Sequence, residues 1–318
     1  MDGDKSQSLC YNIASEQRSD VIRSPIGKEA LLMELITQTL VRSLLPKRDP
    51  NGHKGTFGKV YAYGGCAGLT GAPVYAGEAA ARTGSGLVFV GVPKDVYPII
   101  AARCAVSMAH PLPDSYPALL ERMQSCDAAL IGPGAGRAAE TEEIILSLLR
   151  DLPGPVVLDA DGINAAAAHM NVLEGRRDQR RVTALTPHEG EFARLGGGLV
   201  PGAASPGQRE RAAAAFARQY GCVLVLKGPD TVVAAPDGRT LVNSTGNCGM
   251  AKGGSGDMLA GMLLSLIGQG ASALDAAVCA VWLHGRAGDL CAQELTGYAM
   301  TPPDMIQRLP AVFKELEC

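Results

Sequence analysis

The sequence predicts an α/β fold: a largely parallel central sheet with helices on both faces. Three observations carry this. Short apolar runs alternate with segments of helical periodicity almost to the C-terminus, the pattern of βαβ units. Most of those runs end in glycine-rich or polar clusters, where an open parallel sheet gathers its ligands. The 318 residues, 47% apolar and 19% charged, suffice for one large domain with a sizeable core.

Residues 1–25 are polar and aperiodic, and are expected to be a disordered tail. Ala30 to Leu45 has helical apolar spacing (Leu31, Leu32, Leu35, Leu40, Val41, Leu44, Leu45), and Pro46 ends it. Strands follow at Val60–Tyr63, Leu87–Val92, Ala128–Ile131, Val156–Leu158, Thr183–Leu185 and Cys222–Leu226. Helices over 72–83, 139–150, 188–195 and 206–219 connect them. Thr231–Ala235 and Thr240–Val242 read as a hairpin around Asp237-Gly238. Three helices, at about 257–268, 273–294 and 303–316, complete the chain. With no repeat and no long linker, residues 26–318 are expected to form a single domain.

The net charge of −3 argues against a nucleic-acid binder. The one basic cluster, Arg176-Arg177 with Arg180-Arg181, is interleaved with acids and reads as a solvated loop rim. Nine cysteines without a C-x-x-C pair suggest reduced, mostly buried thiols in the cytoplasm, with Cys248 as small apolar filler. The N-terminus lacks an apolar signal region and no run is long enough to span a bilayer, so no membrane role is expected.

Five clusters fall at strand ends. They are Gly64-Gly65 with Leu69-Thr-Gly-Ala-Pro73, Gly132-Pro-Gly-Ala-Gly136, Asp159-Ala-Asp161 with Asn164, Thr186-Pro-His-Glu-Gly-Glu191, and Lys227-Gly228. One glycine after a strand is a tight turn; five clusters on one edge make an active-site rim.

The densest signal runs from Asn243 to Asp257 and contains Lys252-Gly-Gly-Ser-Gly-Asp257. Glycines let several backbone N–H groups converge on one point, and a following helix adds its dipole, so this is an anion site. Phosphoryl transfer needs such donors. Asp257 would occupy the first turn. The helix terminus is expected to lower its pKa, making it a positioned proton acceptor rather than a strong base. His284, on a helix beside Trp282, reads as a packed core histidine, and Lys54 is undecided between phosphate contact and solvated loop.

The stretch is not a Walker loop, but Gly-Gly-x-Gly-Asp resembles the ribokinase-like superfamily. Together the clusters resemble one branch, the ADP/ATP-dependent NAD(P)H-hydrate dehydratases. The likeness is carried by His53-Lys-Gly-Thr-Phe-Gly58, Gly64-Gly65, Thr70-Gly-Ala-Pro73, Arg82-Thr-Gly-Ser-Gly-Leu87 and Ile131-Gly-Pro-Gly134. It continues through Leu158-Asp-Ala-Asp161, Leu185-Thr-Pro-His-Glu-Gly-Glu191, Leu226-Lys-Gly228, Asn243–Asp257 and Leu283-His-Gly285, over roughly 30–318.

The resemblance implies a ribokinase-like three-layer sandwich and a repair reaction. The 6-hydroxyl of hydrated NADH or NADPH is phosphorylated from ADP or ATP, with Mg²⁺, and phosphate is then eliminated. It implies Asp257 as the base, with Gly253, Gly254, Ser255 and Gly256 as the anion hole. Ala72, Gly134 and His188 would join Asp257 in contacting the substrate, although His188 could simply cap a helix. Lys227, Gly228, Pro229, Asp230 and Thr231, with Gly256, would hold the nucleotide. Glu191 and Asn164 would serve Mg²⁺ directly or through water. A homo-oligomer, up to a tetramer, is implied too, as is functional pairing with a separate NAD(P)H-hydrate epimerase, for whose domain no room remains. The chain departs from the family pattern at Glu189, where proline is usual, and at Gly162-Ile163. The alternative is a vitamin-alcohol kinase of the same fold, of hydroxyethylthiazole or hydroxymethylpyrimidine type. A non-catalytic dinucleotide-binding regulator is disfavoured by Asp257.

Overall fold

The computed structural model describes residues 21–23, 32–199, 202 and 207–317. Its strands are β1 (Val21–Arg23), β2 (Leu32–Leu35), β3 (Lys59–Tyr63), β4 (Leu87–Val92), β5 (Met108–Pro111) and β6 (Ala128–Ile131). They continue as β7 (Val156–Leu158), β8 (Thr183–Leu185), β9 (Val223–Leu226), β10 (Thr231–Ala234) and β11 (Thr240–Asn243). The helices are α1 (Gln38–Leu44), α2 (Gly71–Arg82), α3 (Tyr97–Ala101), α4 (Tyr116–Gln124), α5 (Ala139–Asp151) and α6 (Asp161–Ala168). After them come α7 (Asn171–Asp178), α8 (Glu189–Arg194), α9 (Gln208–Tyr220), α10 (Ser255–Gly268), α11 (Ala273–Ala299) and α12 (Pro302–Glu315).

Among the described residues eleven strands form one sheet, ordered β1-β2-β11-β10-β9-β8-β7-β6-β3-β4-β5. From β9 to β5 every pairing is parallel, while β10 runs antiparallel to both β9 and β11. Successive strand residues feed opposite faces. Val60, Ala62 and Leu130 enter a core with α2, α10, α11 and α12, while Tyr61, Tyr63 and Ile131 enter a core with α4, α5, α7 and α9. This is the three-layer, ribokinase-like α/β architecture.

α10 is apolar nearly all round and buried from Met258 to Gly268, as a helix inside a core should be. It approaches α2 so closely that a Cβ on Gly261 would lie 2.1 Å from the Ala76 carbonyl oxygen. The expected tail lies outside the described residues except at β1, which pairs with β2. The single helix expected over 30–45 is instead a strand and a shorter helix. Residues 33–35 pair with β11, and Thr37 Oγ1 accepts the Leu40 N–H to start α1, so sheet pairing overrides local helical spacing.

Candidate active site

The parallel strands run outward in both directions from β3 and β6, which are neighbours in the sheet though distant in sequence. Such a switch point opens a crevice at the carboxyl ends of the strands. There Gly132 N–H donates to Tyr63 O at 3.0 Å and Gly65 N–H to Pro133 O at 2.9 Å. A Cβ on Gly64 would lie 2.2 Å from Pro133 O, so only glycine permits this approach. Gly134, with φ of 61°, brings its Cα against Leu69 and Ala72, a Cβ there falling 3.1 Å from Ala72 Cβ. Ala72 and Gly134 therefore share one wall.

A buried charge cluster floors the crevice. Asp159, 2% exposed at the end of β7, accepts from Thr186 Oγ1 at 2.7 Å and from Lys227 Nζ at 2.9 Å, both through Oδ1. Glu191 Oε2 lies 3.8 Å from the same ammonium. Burial pulls the Lys227 pKa down, but Asp159, Glu191 and Asp257 outweigh it, so the net shift is upward and the lysine stays charged. Its Nζ reaches the start of α10, 3.2 Å from where a Gly256 Cβ would stand.

The turn from Gly228 to Thr231 is held from below. Asp230 adopts φ of 52°, and Thr231 Oγ1 donates to Gly228 O at 2.9 Å. Arg209 of α9 donates to Pro229 O at 2.6 Å, Asp230 O at 3.2 Å, and the Leu226 and Lys227 carbonyls at 3.2 Å each. Glu189 Oε1 stands 3.1 Å from Arg209 Nε. The glutamate that departs from the family pattern thus ties the His188 loop to this turn. Sequence reasoning missed Arg209; the unusual Glu189 was the available signal.

α10 begins at Gly254, in the left-handed region at φ of 98°, with no side-chain cap. Ser255 N–H donates to Lys252 O and Met258 N–H to Gly254 O. The N–H groups of Gly256 and Asp257 find no acceptor among the described residues. They are free for an anion. Gly253 is exposed beside them, whereas Lys252 Nζ is spent on the Tyr298 and Met300 carbonyls. Ser255 Oγ lies 3.1 Å from His284 Nε2. His284 is buried as expected, and burial lowers its pKa to about 4, with Ser255 opposing and Lys227 adding to the fall. A neutral imidazole therefore backs the start of α10, a contact not foreseen from sequence. α11 also fixes the preceding loop: Asp289 accepts from Gly246 N–H at 3.0 Å and Asn247 Nδ2 at 3.1 Å.

Asp257 reverses its expectation. Burial raises its pKa to about 7; Asp159, Glu191 and Asp161 push the same way and Lys227 against. A helix terminus contributes about 0.3–1 kcal/mol, less than one pKa unit, and loses to desolvation among three other carboxylates. Among the described residues the carboxyl group of Asp257 has no hydrogen-bond partner. A carboxyl group with that proton affinity can take up a proton near neutral pH.

The remaining predicted residues fall as follows. His188 caps α8, its Nδ1 accepting from Gly190 N–H at 3.0 Å and Glu191 N–H at 3.2 Å. Its backbone N–H donates to Glu191 Oε2 at 2.8 Å. Asn164 donates to Asp161 Oδ1 at 3.2 Å and accepts from Arg194 Nε at 2.9 Å. Both Asn164 amide atoms are thus engaged, and no group of three or more His, Cys, Asp or Glu among the described residues is arranged to hold a metal. Lys54 is exposed at the opposite end of the sheet, where its carbonyl abuts Gly86 just before β4. Two further readings are corrected. Arg176 is buried, not a solvated rim, because backbone carbonyls surround it. Cys248 is exposed on a 3₁₀ turn rather than filling the core.

Residues 60–311 match the sequence profile of the NAD(P)H-hydrate dehydratase family. The chain is 42% identical over 292 residues to a bifunctional NAD(P)H-hydrate repair enzyme of Moorella thermoacetica, covering 89% of this chain and 54% of that protein. It therefore spans about half the length of the bifunctional relatives it matches. An ADP-dependent (S)-NAD(P)H-hydrate dehydratase of Bacillus subtilis is 34% identical, covering 88% of this chain and 98% of that one. The crystal structure of an ADP/ATP-dependent NAD(P)H-hydrate dehydratase from Bacillus subtilis, grown with ATP and Mg²⁺, superposes with a TM-score of 0.76. That match has 32% identity and covers 89% of this chain and 98% of the other.

Proposed function

This chain belongs to the NAD(P)H-hydrate dehydratase family, and we propose that it restores hydrated NADH and NADPH at the expense of ADP or ATP. The observation that carries the reading is Asp257: a carboxylate with a pKa near 7 and, among the described residues, no hydrogen-bond partner, beside two backbone N–H groups that have no acceptor there. A base must lie next to the anion site when a hydroxyl attacks phosphorus.

In this reading the hydrated nicotinamide occupies the wall of Ala72 and Gly134 below His188. The nucleotide occupies the Lys227–Thr231 turn, its terminal phosphate on Gly253–Gly256. Asp257 takes the proton of the 6-hydroxyl as its oxygen bonds to the terminal phosphorus, releasing AMP from ADP. The free N–H groups of Gly256 and Asp257 and the Lys227 ammonium stabilise charge on the transferring oxygens. Phosphate then leaves with the C–O electron pair while the ring nitrogen supplies electrons, and loss of the C5 proton restores the dihydronicotinamide. Mg²⁺, when bound with the nucleotide, would neutralise charge on its phosphates. Glu191 and Asn164 already carry hydrogen bonds within the chain, so in this reading they would meet the ion through water, and Mg²⁺ is commonly held by substrate phosphates with one or two carboxylates. Family membership sets aside the vitamin-kinase alternative.

We further read the chain as a cytoplasmic homo-oligomer working beside an NAD(P)H-hydrate epimerase. No described helix is long and apolar enough to cross a membrane. The functional test is incubation with hydrated NADH and ADP. Dihydronicotinamide absorbance should return with one phosphate released per turnover; a phosphorylated thiazole or pyrimidine alcohol and no absorbance change would refute the reading.

A further inference from the structure

Two arginines frame the substrate side of the crevice, and neither is used by the chemistry above. Gly136 N–H donates to Asp161 Oδ2 at 2.9 Å, and Arg137 Nε stands 3.4 Å from Asp161 Oδ1. Asn164 Nδ2 bonds the same Oδ1, and its carbonyl oxygen accepts from Arg194 Nε at 2.9 Å. A polar chain Arg137–Asp161–Asn164–Arg194 therefore joins the Gly134 loop to α8. Arg194 reaches back toward His188: a Cβ on Gly190 would lie 2.9 Å from His188 Cε1 and 3.9 Å from an Arg194 terminal nitrogen. Both guanidinium groups are held through Nε alone, and their terminal N–H groups have no partner among the described residues. Arginine fixed in this way presents a planar fork matched to phosphate oxygens.

The charge pattern says which phosphate. The crevice floor holds Asp159, Glu191 and Asp257 against the single ammonium of Lys227. A dinucleotide brings two pyrophosphate charges that this floor repels, so its phosphates must be met at the rim. We infer that Arg137 and Arg194, spaced by Asp161 and Asn164, form a clamp for the pyrophosphate of the dinucleotide substrate. This rests on the proposed function for the substrate class but not on the phosphorylation step. It also gives Asn164 a role as a spacer that aims Arg194.

The test is fluorescence titration with unmodified NADH, the reaction product, alongside steady-state kinetics on the hydrated form. Arg137→Gln and Arg194→Gln are both exposed changes, and Arg194→Lys keeps the charge but loses the fork. Each Gln variant should weaken NADH binding and raise KM for hydrated NADH about tenfold, the scale of one charge-assisted hydrogen bond. The KM for ADP and kcat should be unchanged, and the salt dependence of NADH binding should flatten. The Lys variant should lie between. NADH binding unchanged in both Gln variants overturns the clamp, as does a rise in the KM for ADP alone, which would assign the arginines to the donor. Failure of the functional reading is separable: wild-type protein that binds NADH without turning over hydrated NADH refutes the reaction while the titration still reads the arginines.

Discussion

Two cations beside the paired strands β8 and β9 have opposite surroundings. Arg176 of α7 is 1% exposed and uses all five of its donors. Nε donates to Thr183 Oγ1 at 2.8 Å; the terminal nitrogens donate to Leu149 O at 3.1 Å, Leu152 O at 2.9 Å, and Gly154 and Val182 O at 3.0 Å. No carboxylate is among the acceptors, and burial, with Arg181 adding, lowers its pKa to about 10, so it remains charged at neutral pH. Lys227 instead faces an excess of carboxylates, and one of them, Asp257, has no hydrogen-bond partner among the described residues. A saturated buried charge holds structure together. An unsaturated one stores a reaction, because the missing partner is what substrate supplies.

The contrast is broken most sharply by Asp257→Asn. We expect kcat to fall about 10³-fold, within the range for removing a general base, with both KM values near wild type. Stability should move the other way. The folded carboxyl binds its proton up to about pH 7 while an unfolded aspartate releases it near 4, so native stability declines as pH rises through that window. The variant escapes this decline and should melt at a higher temperature than wild type at pH 8. A variant that loses activity and stability together would contradict the account.

Arg176→Met should behave conversely. Leaving several buried carbonyls without donors destabilises by about 3–4 kcal/mol, measured by urea unfolding, while activity per folded molecule is unchanged. Smaller shifts sharpen the comparison within the site. kcat/KM should fall tenfold per pH unit below about 7. Asp159→Asn removes a neighbouring anion and should move that limb to lower pH; Lys227→Met removes the opposing cation and should move it higher. The smallest effect is expected behind the anion site. His284→Ala and Ser255→Ala should each reduce kcat about fivefold, and the double variant should do little more, since the two act as one hydrogen-bonded unit.

Much of this was legible from residue order, and the failures have a common cause. Strands that alternate with helices were readable because covered strands are short apolar runs, as at Ala128–Ile131. β5 was missed because Met108–Pro111 shows no alternation and ends in proline. α3, α4, α6 and α7 were also unforeseen between the expected strands. At the site, glycine spacing located the turn that starts α10, since glycine is required where backbone turns left-handed, as at Gly254. Charge was read by local rules and these misled. Arg176 looked solvated because acids flank it in sequence, whereas its acceptors come from residues 149–154 and 182–183, which the fold closes around it. Asp257 looked acidic because the helix terminus is local, whereas Asp159, Asp161 and Glu191 arrive from other strand ends. His284 and Arg209 act through partners that only the fold brings near.

The central claim is that the fold, rather than the helix terminus, sets the proton affinity of Asp257. The most direct measurement is a carboxyl-carbon NMR titration of the nucleotide-free protein, with Asp257→Asn identifying the resonance. A midpoint near pH 7 is the predicted result. A midpoint near 4, the ordinary range for an exposed aspartate, would contradict the account.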